Sequence, residues 1–100
     1  MAKAVAINPK DNVAVVLEEV KRGDLVVIEV GGRKLKLKAL SDIPFGHKIA
    51  VERIPRGGAV VKYGEVIGRA TKDIEPGEYV HVHNVESARA RGSGGGSVRV

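Results

Sequence analysis

One short pattern recurs along this chain and limits how far any strand can run. Asp42-Ile-Pro-Phe-Gly-His-Lys-Ile-Ala-Val51 aligns without gaps on Asp73-Ile-Glu-Pro-Gly-Glu-Tyr-Val-His-Val82. Ile54-Pro-Arg-Gly57 repeats the first half, and Val20-Lys-Arg-Gly23 is a weaker copy. The shared form is an apolar residue, two turn residues, a glycine, two more residues and then an aliphatic. Each copy predicts the same local event: the apolar anchor enters the core, the glycine takes a tight turn, and a strand restarts. Such corners in a chain of 100 residues point to a looped, corner-turning β architecture, not a long-stranded sandwich.

The remaining segments fill in around these corners. Ala4 to Ile7 is short and apolar, is stopped by Asn8-Pro9, and predicts a first strand. Val13, Val16, Leu17 and Val20 recur at i, i+3, i+4 and i+7, the stripe of an amphipathic helix. Asp11 suits its N-cap, Lys21 and Arg22 its negative end, and Gly23 its C′ position. Beyond Gly23 the period changes to two. Leu25 to Val30 and Arg33 to Leu40 flank Gly31-Gly32, a strong hairpin signal. Further short strands are predicted over Lys48 to Val51, Ala59 to Val61, Val66 to Ile67 and Tyr79 to His83. From Ser87 the chain becomes Ala-Arg-Ala-Arg-Gly-Ser-Gly-Gly-Gly-Ser, the composition of a flexible tether. This glycine run lacks the lysine of a phosphate-binding loop and precedes no helix.

Composition narrows the function classes. A single domain of this length buries one core, and with 3% aromatics that core must be aliphatic. The absence of cysteine excludes disulfides, thiolate zinc sites and cysteine nucleophiles. No apolar run reaches the length of a membrane span or of a signal peptide, which predicts a soluble, cytoplasmic protein. The net charge of +5 invites nucleic acid, but the aromatic platforms that stack single-stranded bases are missing. In Arg33-Lys34-Leu35-Lys36-Leu37-Lys38 the lysines alternate with leucines, as on a half-buried edge strand guarded by charge.

The chemistry concentrates in the histidines. His81 and His83 lie two apart on a predicted strand, so both face one side while Val80 and Val82 face the other. Two imidazoles at that spacing can converge on one metal or one carboxylate; the plainer alternative is an exposed strand face ending at the turn residue Asn84. His47 follows Gly46 in a turn where backbone can approach a ligand, or it simply opens a strand. Tyr63-Gly64 and Gly68 read as structural, a ring to pack and two tight turns.

Taken in order, Asp42-Ile-Pro-Phe-Gly-His-Lys-Ile-Ala, Val61-Lys-Tyr-Gly-Glu-Val-Ile-Gly-Arg-Ala-Thr, Asp73-Ile, Gly77 and Val80-His-Val-His-Asn84 resemble the amino-terminal domain of the altronate and galactarate dehydratases. The opening Asn8-Pro-Lys-Asp-Asn-Val-Ala-Val-Val-Leu17 resembles the same family. The module is similar to the small subunit of the sulfolactate sulfo-lyases and is of the SAF type found in sialic-acid synthases and type III antifreeze proteins. The resemblance covers residues 5 to 85. It implies a mainly β, β-clip (SAF-like) domain of short bent strands, here with one short N-terminal helix; with the Gly/Ser-rich composition beyond it, the expected division is a domain over residues 1–86 and a flexible tail over 87–100. It also implies loss of water from a hydroxy-carboxylate with a divalent metal, iron or manganese.

The large catalytic portion of such enzymes is absent from this sequence, so a separate subunit supplies it or the chain is a piece of a fused protein; Met1 and the complete motif set favour a natural small subunit. The function implied is an accessory small subunit or N-terminal domain of a sugar-acid dehydratase of the altronate type. It would be inactive alone and complete the active site of a large catalytic dehydratase subunit. On that reading His47, His81 and His83 are the catalytic candidates. Lys48, Lys62 and Arg69 would neutralise a substrate carboxylate and its enediolate, with Thr71 and Asn84 as further substrate contacts. His81 and His83 would be metal ligands only with help from the partner, and the isolated chain would hold no metal tightly. The expected partners are the large subunit and a sugar acid, without nucleic acid or membrane. The alternative is a non-enzymatic SAF module that binds a carbohydrate or a protein.

Overall fold

The computed structural model describes residues 1–88; the expected tail lies outside the described residues from position 89 onward. Among the described residues nine short strands follow one another: β1 (Ala2–Ala6), β2 (Val13–Val16), β3 (Leu25–Val30), β4 (Arg33–Lys38), β5 (Lys48–Ala50), β6 (Ala59–Lys62), β7 (Glu65–Ala70), β8 (Tyr79–Val80) and β9 (Val85–Ser87). Six form one sheet in the order β4-β3-β1-β2-β5-β8, and three form a second in the order β6-β7-β9. Among these strands only β1 and β3 pair in parallel. The architecture is mainly β and consistent with a β-clip.

The repeated corners explain how such short strands hold together. Val20 and Ile43 exchange both backbone hydrogen bonds, at 2.9 and 2.8 Å, and Ile54 and Ile74 do the same at 2.8 Å each. All four anchors are buried. The turn glycine of each copy then reaches the strand that precedes its partner copy. Gly23 N–H donates to Ala39 and Gly46 N–H to Val16; Gly57 N–H donates to Ala70 and Gly77 N–H to Ala50. The Asp42 carboxylate accepts from Arg22 N–H at 2.8 Å, and that of Asp73 accepts from Arg56 N–H at 2.8 Å. The corners therefore act in two reciprocal clasps, Val20 with Ile43 and Ile54 with Ile74. All four glycines have φ between 83° and 95°, a region costly for any other L-residue.

The two aliphatic cores follow the sheets. One gathers Ala4, Ala14, Val16, Val26, Ile28, Val30 and Ile49 around the large sheet; the other gathers Val13, Ala50, Val60, Ile74, Val80 and Val85 beside the small one. The hairpin at Gly31-Gly32 forms as expected, with Val30 opposite Arg33 and both glycines at positive φ. β4 is the sheet edge, its lysines exposed and Leu35 and Leu37 half-buried against the core.

The expected helix does not form. Between Met1 and Ser87 there is none, and residues 13–16 are strand β2, paired with β1 on one side and β5 on the other. The cause is burial on both faces. Ala14 and Val16 enter the first core, Val13 enters the second and Val15 is half-buried. The alternation that would reveal a strand is thus erased, as in any strand covered on both sides. Its β-branched residues favour the extended form. Leu17, part of the supposed stripe, is half exposed.

Asp11, read as an N-cap, instead caps a turn of the second sheet. Its buried carboxylate accepts from Gly64 N–H at 2.8 Å, within the Tyr63-Gly64 turn joining β6 to β7. Tyr63 takes φ 55° there, and its ring is exposed under the Lys62 ammonium instead of packed. Gly68 is not in a turn; it lies within β7, where a Cβ would meet the Glu86 carbonyl and Val85 of β9. Asn12 ties the sheets together, donating to Ala59 O at 2.8 Å and accepting from Val61 N–H at 2.8 Å. Asn12→Ala is expected to destabilise by about 2 kcal/mol, the usual cost of stranding buried hydrogen-bonding groups. Urea unfolding checks this: a midpoint unchanged from the parent, as expected for Lys10→Ala, would show that the strap contributes nothing.

Candidate functional site

The antiparallel pairing of β5 with β8 places Lys48 opposite Val80 and Ile49 opposite Tyr79. Extending that register by one residue sets His47 opposite His81, and their ring centroids lie 5.0 Å apart. Tyr79, two residues before His81, is on the same face. Its hydroxyl lies 2.6 Å from His47 Nδ1. The Tyr79 ring stacks on His81 with an interplanar angle of 8° at 5.6 Å, and His83 tilts against it at 5.3 Å. The three histidines, drawn from segments far apart in sequence, are gathered around one phenol ring.

The local backbone differs from expectation in one respect. β8 ends at Val80, and residues 81–84 form a turn. The cause is Asn84, whose buried side chain captures the backbone. Its Oδ1 accepts from His81 N–H at 2.9 Å and its Nδ2 donates to Tyr79 O at 2.8 Å. Asn84 N–H and Val85 N–H both donate to His81 O. Side-chain bonds of this kind compete with a continuing strand. The turn still delivers both rings to Tyr79, but by folding the chain over and not by strand alternation. Asn84 thus positions the imidazoles, with its amide engaged inside the chain.

The cationic candidates lie elsewhere. Lys48 is 6% exposed and leaves β5 on the face opposite His47, its cross-strand neighbour Val80 belonging to the second core. Burial, and secondarily the positive charge of Lys62, holds its ammonium below the ordinary lysine range. A solvated lysine, the plain expectation for such a residue, is therefore not what the fold makes of Lys48. Arg69 is exposed on β7, opposite Ala59 and Glu86, with Nη1 3.4 Å from Gly57 O. Thr71 is exposed, and its backbone N–H donates to Asn84 O at 2.9 Å, bracing the histidine turn.

The family resemblance implies a divalent metal, and the described residues can be tested for a site that would hold one. Among the described residues no three or more His, Cys, Asp or Glu side chains are placed to hold one ion. His81 and His83 each pack against the Tyr79 ring. Tyr79 is the member that sequence reasoning missed. The available signal was its place two residues before His81, on the same strand face.

Two exposed apolar side chains border the cluster. Phe45 is 69% exposed in the turn leading to His47, and Val82 is 62% exposed between His81 and His83. Among the described residues no helix is long and apolar enough to cross a membrane.

Comparison with known proteins places this chain in a family. The family model for the altronate/galactarate dehydratase SAF domain matches residues 2–88. Altronate dehydratase of Bacillus subtilis (strain 168) is 37% identical over 87 residues, which are 87% of this chain but 17% of that protein. The (2R)-sulfolactate sulfo-lyase subunit alpha of Paracoccus pantotrophus is 40% identical over 65 residues, 65% of this chain and 97% of that subunit. Galactarate dehydratase (L-threo-forming) of Escherichia coli (strain K12) is 34% identical over 77 residues, 76% of this chain and 14% of that enzyme. The chain thus spans a small fraction of the dehydratases and nearly the whole of a sulfo-lyase alpha subunit. With its clasped short strands and a family match over nearly all of the described residues, the chain belongs to the SAF domain family of the altronate/galactarate dehydratases.

Proposed function

We propose that this domain is the accessory part, a small subunit or N-terminal domain, of a lyase acting on a hydroxy-carboxylate, and that it completes the active site of a large catalytic partner. The observation that carries this reading is the convergence of His47, His81 and His83 on Tyr79 at one end of the β5–β8 pair. Membership in a lyase-associated family supports it, and the coverage of the sulfo-lyase alpha subunit supports the small-subunit form. Altronate-type sugar acids are the substrates of this reading, with sulfolactate the nearest variant. Imidazoles at such a surface can bind a carboxylate, donate to a leaving hydroxyl or accept the proton beside the carboxylate. The iron or manganese of the assembled enzyme belongs to the partner.

Co-expression with a large dehydratase-type subunit tests the proposal. A stable complex is expected, active on altronate, galactarate or (2R)-sulfolactate, with neither chain active alone. A large subunit that is fully active and never binds this chain would refute it. The docking face is expected to include Phe45 and Val82, since exposed apolar groups beside a functional cluster mark interfaces. Phe45→Ala with Val82→Ala should weaken the complex roughly thirtyfold, on the scale of losing one aromatic anchor, as measured by calorimetric titration. Lys36→Ala on the far edge strand should leave the affinity unchanged.

A further inference from the structure

The phenol at the centre of the histidine cluster does more than fill space. Tyr79 Oη and His47 Nδ1 are 2.6 Å apart, a distance suited to a hydroxyl donor. A hydrogen bond pairs the better donor with the better acceptor. The phenol hydroxyl is the stronger donor, and the lone pair of an imidazole nitrogen is more basic than a phenol oxygen. The proton of this bond therefore resides on Tyr79, and Nδ1 accepts. The tautomer of a neutral histidine is set by the hydrogen bond its other nitrogen makes. With Nδ1 accepting, the ring proton sits on Nε2, which makes no hydrogen bond to another described residue.

The backbone fixes both partners. His47 N–H donates to Pro44 O and His47 O accepts from Val16 N–H, so the ring starts from a held turn. Tyr79 is anchored by its pairing with Ile49, by the Asn84 amide on its carbonyl, and by packing against the first core. The His81 ring stacked on the phenol limits its rotation.

We infer that Tyr79 is a positioning residue that holds His47 as the Nε2–H tautomer, making His47 a hydrogen-bond donor to an anionic or leaving oxygen of the substrate and not the base that removes a proton. The assignment of a substrate-facing role to His47 rests on the function proposed above; the tautomer rests on the Tyr79–His47 contact and on the donor and acceptor strengths of the two groups. A neutral imidazole donating through Nε2–H is a recognised way to polarise oxygen without carrying a charge. Proton abstraction then falls to another group, with His81 and His83 the imidazoles of this chain left for it.

Two measurements test this. In the full chain at slightly alkaline pH, long-range proton–nitrogen correlation spectra should show His47 wholly as Nε2–H, with Nδ1 shifted as a hydrogen-bond acceptor. Tyr79→Phe, which keeps the ring and the packing, should return Nδ1 to the value of a free imidazole and let the second tautomer appear. A proton on Nδ1 in the parent chain, or a His47 signal indifferent to Tyr79→Phe, would overturn the inference. In the assembled enzyme, Tyr79→Phe should lower kcat about tenfold, less than the loss expected for His47→Ala. The double variant should be no slower than His47→Ala alone, because Tyr79 acts through His47. Additive losses would mean that Tyr79 works independently of His47. Full activity of His47→Ala would instead refute the substrate-facing role of His47, and the spectra would still decide the tautomer.

Discussion

Replacing His81 or His83 by Ala in the assembled enzyme is expected to lower turnover about a hundredfold, the lower end of the range for a general acid–base group. The expectation follows from placement. His83 is exposed and His81 half-buried, and both rings lie against a tyrosine and outside the aliphatic cores. Neither ring is needed to close the turn that carries it, since Asn84 bonds backbone groups of Tyr79 and His81. Loss of either imidazole should therefore leave the melting temperature close to that of the parent. Lys34→Ala and Lys36→Ala, exposed on β4, should change turnover by less than about twofold, as most surface substitutions do. Steady-state rates on the reconstituted complex decide the matter. Parent-like activity in both histidine variants would leave the domain a binding or structural module.

The largest effect on stability is expected from Gly77→Ala. Gly77 is buried, with φ 94°, and its N–H and C=O are both engaged, to Ala50 O and from Leu40 N–H, each at 2.9 Å. An added Cβ would press on the Lys38 carbonyl oxygen and contact Leu40. Two costs therefore combine, the strained backbone region and a steric clash with main chain that has little freedom to move. Together they come to roughly 3 kcal/mol or more. In a domain of this size that corresponds to a melting temperature lower by about 15 °C. Gly57→Ala separates the two costs. Gly57 has φ 83° but nothing within 4 Å of its would-be Cβ, so only the backbone term of about 1 kcal/mol remains. Equal melting temperatures for the two variants would show that the close approach at Lys38 is relieved at no cost.

Local chemistry made much of the fold legible in the sequence. The anchor-and-glycine corners are short, self-contained signals, and the four anchors bridge in pairs. Gly31-Gly32 announced its hairpin, and alternating lysines announced the edge strand β4. The errors arise where tertiary contact decides the outcome. β2 is covered on both faces, so its valines carried no two-residue period and happened to match a helical one. The strand expected through His83 stops early because one buried amide, Asn84, competes for its backbone. Tyr79 escaped notice because its two-residue spacing from His81 is equally that of an ordinary strand residue. Its part in the cluster depends on the register that brings residue 47 opposite residue 81. Lys48 likewise gave no sign that it would be buried, because its neighbours in sequence do not tell which sheet covers it.

The two clasps bear on the order in which the chain assembles. Val20 to Ile43 and Ile54 to Ile74 are closures of similar length, and neither uses the other's residues for its reciprocal anchor bonds. Loop-closure entropy rises only slowly with length, so the two closures face comparable entropic barriers, and we expect them to form in either order. His47 lies just past the last corner of the first clasp and His81 just past the last corner of the second. The β5–β8 pairing that joins them takes one strand from just past each clasp. The His47–Tyr79 contact therefore bridges the segments that leave the two clasps, and it reports that the two parts of the chain have come together.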